Sequence, residues 1–150
     1  MEPAGAIFDW HIETERGVDA SLDSQEAHSG KSSLKLYFSG GQNLRYHHVT
    51  QTAYANAGRY RFLAFIKTAG ITTDEGIRFH IFAEGPAPKL DVMTAPIGGT
   101  TPWTRIEKTF LVPEDSNLVK VEITRLPSLK FENQLAGEVW IDDASLSRIK

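Results

Sequence analysis

Two adjacent carboxylates, Asp142 and Asp143, interrupt the strand-like run GEVWIDDASL (residues 137–146). Asp is short, charged and competes for nearby backbone hydrogen bonds, so strands are depleted in it. A pair at this place is expected to form a β-bulge, accepting backbone N–H groups or an ion pair from Lys31 or Arg148. The histidines offer less. His47 and His48 are neighbours in an apparent strand, where successive side chains point to opposite faces unless a bulge intervenes. No H-x-x-x-H pair occurs, so a catalytic zinc is not expected, and with no cysteine there is no thiol chemistry, disulfide or thiolate zinc site. SGKSS (29–33) has the look of a phosphate loop, but Gln25 stands where the motif needs glycine, and a strand pattern follows instead of a helix. There is no G-x-S-x-G elbow. A glycosidase needs two carboxylates facing each other at roughly 5–9.5 Å, and nothing in the placement of Glu84, Glu122, Glu132 and Glu138 pairs them. The chain is not expected to be an enzyme.

The elements that carry these residues are strands. Leu34, Leu36 and Phe38 alternate with Ser33, Lys35 and Tyr37; Tyr60, Phe62, Ala64 and Ile66 alternate with Arg61, Leu63 and Phe65. Ile77, Phe79 and Ile81 alternate with Arg78, His80 and Phe82, and the same period of two runs through Ile106–Val112 and Val119–Ile123. With AIFDWHI near the start and EVWIDDASL at the end, about eight short strands are expected, punctuated by Ser39-Gly40-Gly41, Ala57-Gly58 and Gly98-Gly99. Such spacing predicts one all-β domain over residues 1–150, a β-sandwich or barrel. The 150 residues, 41% hydrophobic and 23% charged, suffice for a folded core. A formal net charge of -3 with scattered Lys and Arg gives no footprint for nucleic acid. No apolar run approaches the ~20 residues of a membrane-spanning helix, so no membrane insertion is expected. Patterning that starts near Met1 and runs to Lys150 reads as a module excised from a longer protein.

Four segments together resemble the galactose-binding-like jelly rolls. AHSGKSSLKL (27–36) resembles their a-x-s-G-x-x-S-L-x-l segment. QTAYANAGRYRFLAFIKT (51–68) is similar to their Gln, small-apolar, Gly and aromatic-strand series. TTPWTRIEKTFLVPED (100–115) matches t-x-x-W-x-x-x-x-x-x-F-x-v-P, and GEVWIDDASL matches the closing G-x-v-w-I-D-D-v-s-L. Among the members of that family it resembles are carbohydrate-binding modules appended to bacterial xylanases and cellulases. The resemblance implies a β-sandwich jelly roll and a non-catalytic carbohydrate-binding accessory module. It also implies a polysaccharide or oligosaccharide ligand, other domains of a parent protein as partners, and a bacterial extracellular or periplasmic location. Similar domains end bacterial helical-repeat proteins, which leaves a second expectation: a structural or protein-interaction module of an envelope-associated protein, with no sugar ligand.

Calcium-binding members of the family use a closing-strand carboxylate, so the resemblance also implies a structural Ca2+. Asp142 (or Asp143), Asp9 and carbonyls of the His28–Lys31 loop would supply its oxygens, of which calcium takes about six to eight. The metal-free bulge stands beside it as the alternative. For the ligand, sugar C–H faces stack on aromatic rings while hydroxyls pair with polar side chains. The residues expected to do so are Phe65, Arg78, His80, Phe82 and Glu122, with Thr124, Tyr46 and His48 beside them. The alternative is that Phe65 and Phe82 lie under a loop as a second small core. Loops at one end, with Trp103, Tyr54 or Arg125, form a further candidate zone; Trp103 is otherwise read as edge packing, and Trp10 and Trp140 as core.

Overall fold

The computed structural model describes residues 10–83, 90–114 and 118–149; Asp9 and Glu84 lie outside the described residues. The alternating segments become strands β1 (His11–Ile12), β2 (Val18–Asp23), β3 (Ser33–Ser39), β4 (Tyr46–Tyr54) and β5 (Gly58–Ile71). There follow β6 (Arg78–Ala83), β7 (Asp91–Met93), β8 (Gly99–Val112), β9 (Leu118–Arg125) and β10 (Ala136–Ile149). They form two antiparallel five-stranded sheets, ordered β1-β4-β9-β6-β7 and β2-β3-β10-β5-β8. Among the described residues, β2–β3 and β6–β7 are the consecutive strands paired in one sheet, and the other connections cross to the opposite sheet. This is a β-sandwich jelly roll, as the alternation and the resemblance led one to expect. The excess over eight strands comes from β2 and β7, one largely polar and the other three residues long.

The core is built by the inward half of each alternation. Leu36, Phe62, Ala64, Ile66, Phe79, Ile81, Val119, Val121, Ile123 and Val139 are all essentially inaccessible, and removal of this apolar surface from water is the main driving force for the sandwich. Trp140 is buried too, but on the outer side of β10, with Lys35 and Lys67 each 5.6 Å from its ring centre and its indole N–H donating to Asp23 Oδ2 at 2.9 Å. It is therefore roofed by lysine stems and does not belong to the central core.

Two bulges decide which way functional side chains point. In β10 the register against β5 shifts between Asp142 and Ser145, and Asp143 takes φ 51°. In β4 the three steps from Tyr46 to Val49 span only two steps of β9, from Arg125 to Ile123. The extra residue reverses the parity of the strand before it. Tyr46 consequently turns into the core, edge-on to Phe38 at 5.4 Å, and His47 turns outward.

One polar group holds the loops at the end beyond Arg125. The Arg125 side chain is fully buried, and all five of its N–H groups are used. Nε donates to Glu75 O, Nη1 to Asn43 Oδ1 and Leu44 O, and Nη2 to Thr73 Oγ1 and Asn133 O, at 2.8 to 3.2 Å. Burial pulls its pKa below the usual guanidinium range, with Glu75 and Asp74 opposing. Arg125 is thus a structural clamp across three loops and does not belong to a ligand zone.

Candidate functional site

The outward half of the alternation on β6 is Arg78, His80 and Phe82, and β9 places Thr124, Glu122 and Lys120 opposite them in register. The His80 and Phe82 rings stack at 4.4 Å between centroids and 23° between planes. His80 Nε2 lies 2.6 Å from Asp91 Oδ1 on β7, and Nδ1 lies 3.4 Å from Glu122 Oε1. Thr124 Oγ1 donates to the same Glu122 oxygen at 2.7 Å. A protonated ring donates to both carboxylates, a neutral one to only one of them. Either way Asp91 and Glu122 fix the imidazole beside the Phe82 face. Arg78 donates from Nη2 to Glu75 Oε1 at 2.8 Å, while its Nε is buried with no hydrogen-bond partner among the described residues.

Beside this row is a hollow of about 240 Å³ lined by Arg45, His47, His80, Phe82, Met93, Glu122, Thr124 and Leu126. The structure therefore brings together Arg78, His80, Phe82 and Glu122, as the alternation led one to expect. Arg45, His47 and Met93 join them unforeseen. Arg45 lies in the loop before β4, His47 depends on the bulge, and β7 is too short to carry a pattern. Tyr46 and His48 do not join. Tyr46 is a core residue, and His48 is half-buried, tilted on Tyr46 at 5.2 Å with Nε2 3.4 Å from Glu15 Oε2. His47 and His48 stack at 4.4 Å instead of facing apart, again because of the bulge.

Phe65 is the other correction. It points outward from β5, which belongs to the second sheet, so it lies on the opposite side of the sandwich from Phe82. There His28 covers it, with ring centroids 3.7 Å apart and planes 13° apart, and Trp103 meets His28 edge-on at 5.7 Å. Phe65 is thus packed under the loop before β3, the small-core alternative realised on one side only. Exposed large apolar residues are dispersed over several elements: Leu22 on β2, Tyr54 opposite Leu118, Leu111 on β8, and Leu129 with Phe131 in the β9–β10 loop.

The Asp pair latches that covering loop. Asp142 Oδ2 accepts the backbone N–H groups of His28 and Ser29 at 3.0 and 3.1 Å, and Oδ1 accepts that of Asp143 at 2.8 Å. Asp143 Oδ2 lies 2.7 Å from His28 Nδ1, and Ser29 Oγ donates to both of its oxygens at 2.8 Å. All four carboxylate oxygens are engaged, and Lys31 lines the adjoining hollow of about 310 Å³. Among the described residues no cluster of three or more metal-ligating side chains gathers here or elsewhere. Asp142, Asp143 and Lys31 by themselves do not make a calcium cage, and Asp9 is outside the described residues.

With two antiparallel sheets and a row of polar and aromatic residues on one outer face, the domain is a jelly roll of the kind found in carbohydrate-binding modules. Its structural neighbours are mostly such modules. The CBM22-1 xylan-binding domain of Xyn10C from Paenibacillus barcinonensis has a TM-score of 0.60 at 12% identity, with 100% of this chain and 99% of that chain covered. The CBM22-1–GH10 portion of Clostridium thermocellum xylanase 10B, complexed with xylohexaose, has a TM-score of 0.64 at 12% identity, with 100% and 29% covered. The enzymatically active domain of tailspike protein 4 from bacteriophage CBA120 has 0.63 at 9%, with 95% and 19% covered. The chain thus spans less than a third of the last two. At such identities the likeness is one of fold. No family model matches the sequence, and no curated protein does either.

Proposed function

We propose that this domain is a non-catalytic carbohydrate-binding accessory module whose ligand lies across the outer face of β4, β9, β6 and β7. The observation that carries the reading is the Phe82 ring, stacked on a tethered His80 at the edge of a polar hollow. A sugar ring would lie on Phe82, while Glu122, Arg78, Arg45 and His47 exchange hydrogen bonds with its substituents. Support comes from neighbours whose ligands are xylohexaose and, for a family 61 module, β-1,4-galactotriose. The acidic groups on this face argue for binding without hydrolysis. Asp91 and Glu122 flank one imidazole and do not oppose each other across a gap for substrate. The same reading makes the domain an accessory to other domains of a longer protein, outside a bacterial cell or in its periplasm. As an open, solvated platform it is expected to bind weakly.

Affinity electrophoresis against a panel of soluble polysaccharides tests it. At least one polymer should retard the protein. Phe82→Ala should weaken that retardation by about 1–2 kcal/mol, roughly 5- to 30-fold, whereas Phe65→Ala, on the covered side, should leave it unchanged. Retardation by no polymer, or equal loss in both variants, would refute the assignment of this face.

A further inference from the structure

The carboxylates on the binding face are already engaged. Glu122 accepts from Thr124 and faces one nitrogen of His80, Asp91 faces the other, Glu75 takes Arg78, and Glu15 at the edge of the sheet faces His48. Arg45 differs. It is exposed, it lines the hollow beside Phe82, and it makes no ion pair or side-chain hydrogen bond among the described residues. His47, exposed on the same hollow, has a neighbouring imidazole as its contact and no carboxylate partner among the described residues. The chain as a whole carries a formal charge of -3, so this unspent positive charge runs against the molecule's overall balance. Because Arg45 and His47 are exposed, their pull on an anion is strongest at low salt.

We propose that the site selects an acidic polysaccharide, one carrying uronic acid. A pyranose ring rests on Phe82, and a sugar carboxylate is taken by the guanidinium of Arg45. The planar fork of arginine matches a carboxylate with two parallel hydrogen bonds, and such charge-assisted pairs are about twice as strong as neutral ones. A neutral xylan or galactan offers Arg45 hydroxyl oxygens alone, without the charge-assisted pair. This inference rests on the carbohydrate reading above and narrows it to a ligand class.

The test uses polygalacturonate, alginate and glucuronoxylan, each beside its carboxyl-reduced form, with dextran sulfate as a polymer of the same charge sign and different anion. At low salt, at least one uronate polymer is expected to bind roughly tenfold more tightly than its reduced form. Arg45→Gln should abolish that difference while keeping the melting temperature, and Phe82→Ala should weaken the acidic and reduced forms alike. Equal binding of acidic and reduced polymers, or a preference that survives Arg45→Gln, overturns the proposal. So does dextran sulfate binding as tightly as any uronate, which would mean charge attraction alone. Neutral polymers binding in a Phe82-dependent way without an acidic preference would overturn this inference and leave the carbohydrate reading standing. Binding of no polymer would overturn both.

Discussion

Replacing Arg125 with Met keeps the length and most of the volume of the side chain and removes five donors. The cost follows from what each acceptor has left. Asn43 Oδ1 keeps the Ser128 N–H at 2.9 Å, and Glu75 O keeps the Thr73 hydroxyl at 3.0 Å. Thr73 Oγ1 loses a donor but still has its own proton placed. Leu44 O and Asn133 O are left with no other donor among the described residues. Each orphaned carbonyl, part-buried here, costs up to about 1–3 kcal/mol, so the pair costs up to about 2–6 kcal/mol. Removing a buried charge also relieves its desolvation, which offsets part of this. Near 150 residues each kcal/mol moves the melting temperature by about 2–4 °C, so a loss of ~4 kcal/mol lowers it by roughly 8–16 °C. Calorimetry at neutral pH measures this directly. Glycan binding should weaken in the same variant, because Leu44 adjoins Arg45 and Leu126 lines the hollow. A variant that melts within about 3 °C of the parent would refute the clamp: the guanidinium would then be offsetting its own burial and holding nothing.

Tyr46 should make the fold sensitive to alkali. Burial, with a smaller contribution from Glu15, raises its pKa from 10.0 to about 12. Its neutral form is favoured in the fold, so this stability is fully present below pH ~10 and is lost as the pH rises through ~12, by about 3 kcal/mol at most. Chemical denaturation across that range should show the loss, and Tyr46→Phe should remove that component; an unchanged pH profile in the variant would count against it. For Asp142→Ala, loss of the acceptor for the His28 and Ser29 amides is expected to cost about 1–2 kcal/mol, and His28 should come away from Phe65, which proton chemical shifts of the two rings would report. If the latch works without metal, calcium or EDTA should leave the melting temperature of the parent protein unchanged; a calcium-dependent rise that Asp142→Ala abolishes would place a cation at this corner and defeat that account.

Alternation of side chains exposes one thing reliably, which is the inward or outward sense of each residue within its own strand. Phe62, Phe79 and Val121 were legible as core and Arg78, His80, Phe82 and Glu122 as outward because nothing disturbs the period of two between them. Pairing partners are another matter. β5 and β6 follow each other in sequence with matching patterns, yet they lie in opposite sheets, so Phe65 and Phe82 look like neighbours in sequence and are on opposite sides in space. Parity fails across a bulge as well: the extra residue between Tyr46 and Val49 exchanges the roles of Tyr46 and His47, and its presence depends on β9, some 70 residues downstream, instead of on local composition. The Asp pair announced its bulge because Asp has a local reason to be there. Arg125 carried no such mark, since the loop atoms it binds come from positions 43 to 133 and only the folded chain gathers them.

A sandwich has two outer faces of similar size, and in this one the chain has spent one of them on itself. The His28 ring lies on Phe65, and three carboxylate oxygens hold that lid from beneath. The domain is therefore one-sided, like tape with its backing left on one surface. If its open face lies down on a polymer, the Phe65 ring on the face turned away is not free to take a second chain. Cutting the latch at Asp142 and Asp143 would uncover a second aromatic surface back to back with the first. A protein that decorates single strands could in that way become one that gathers them into a gel.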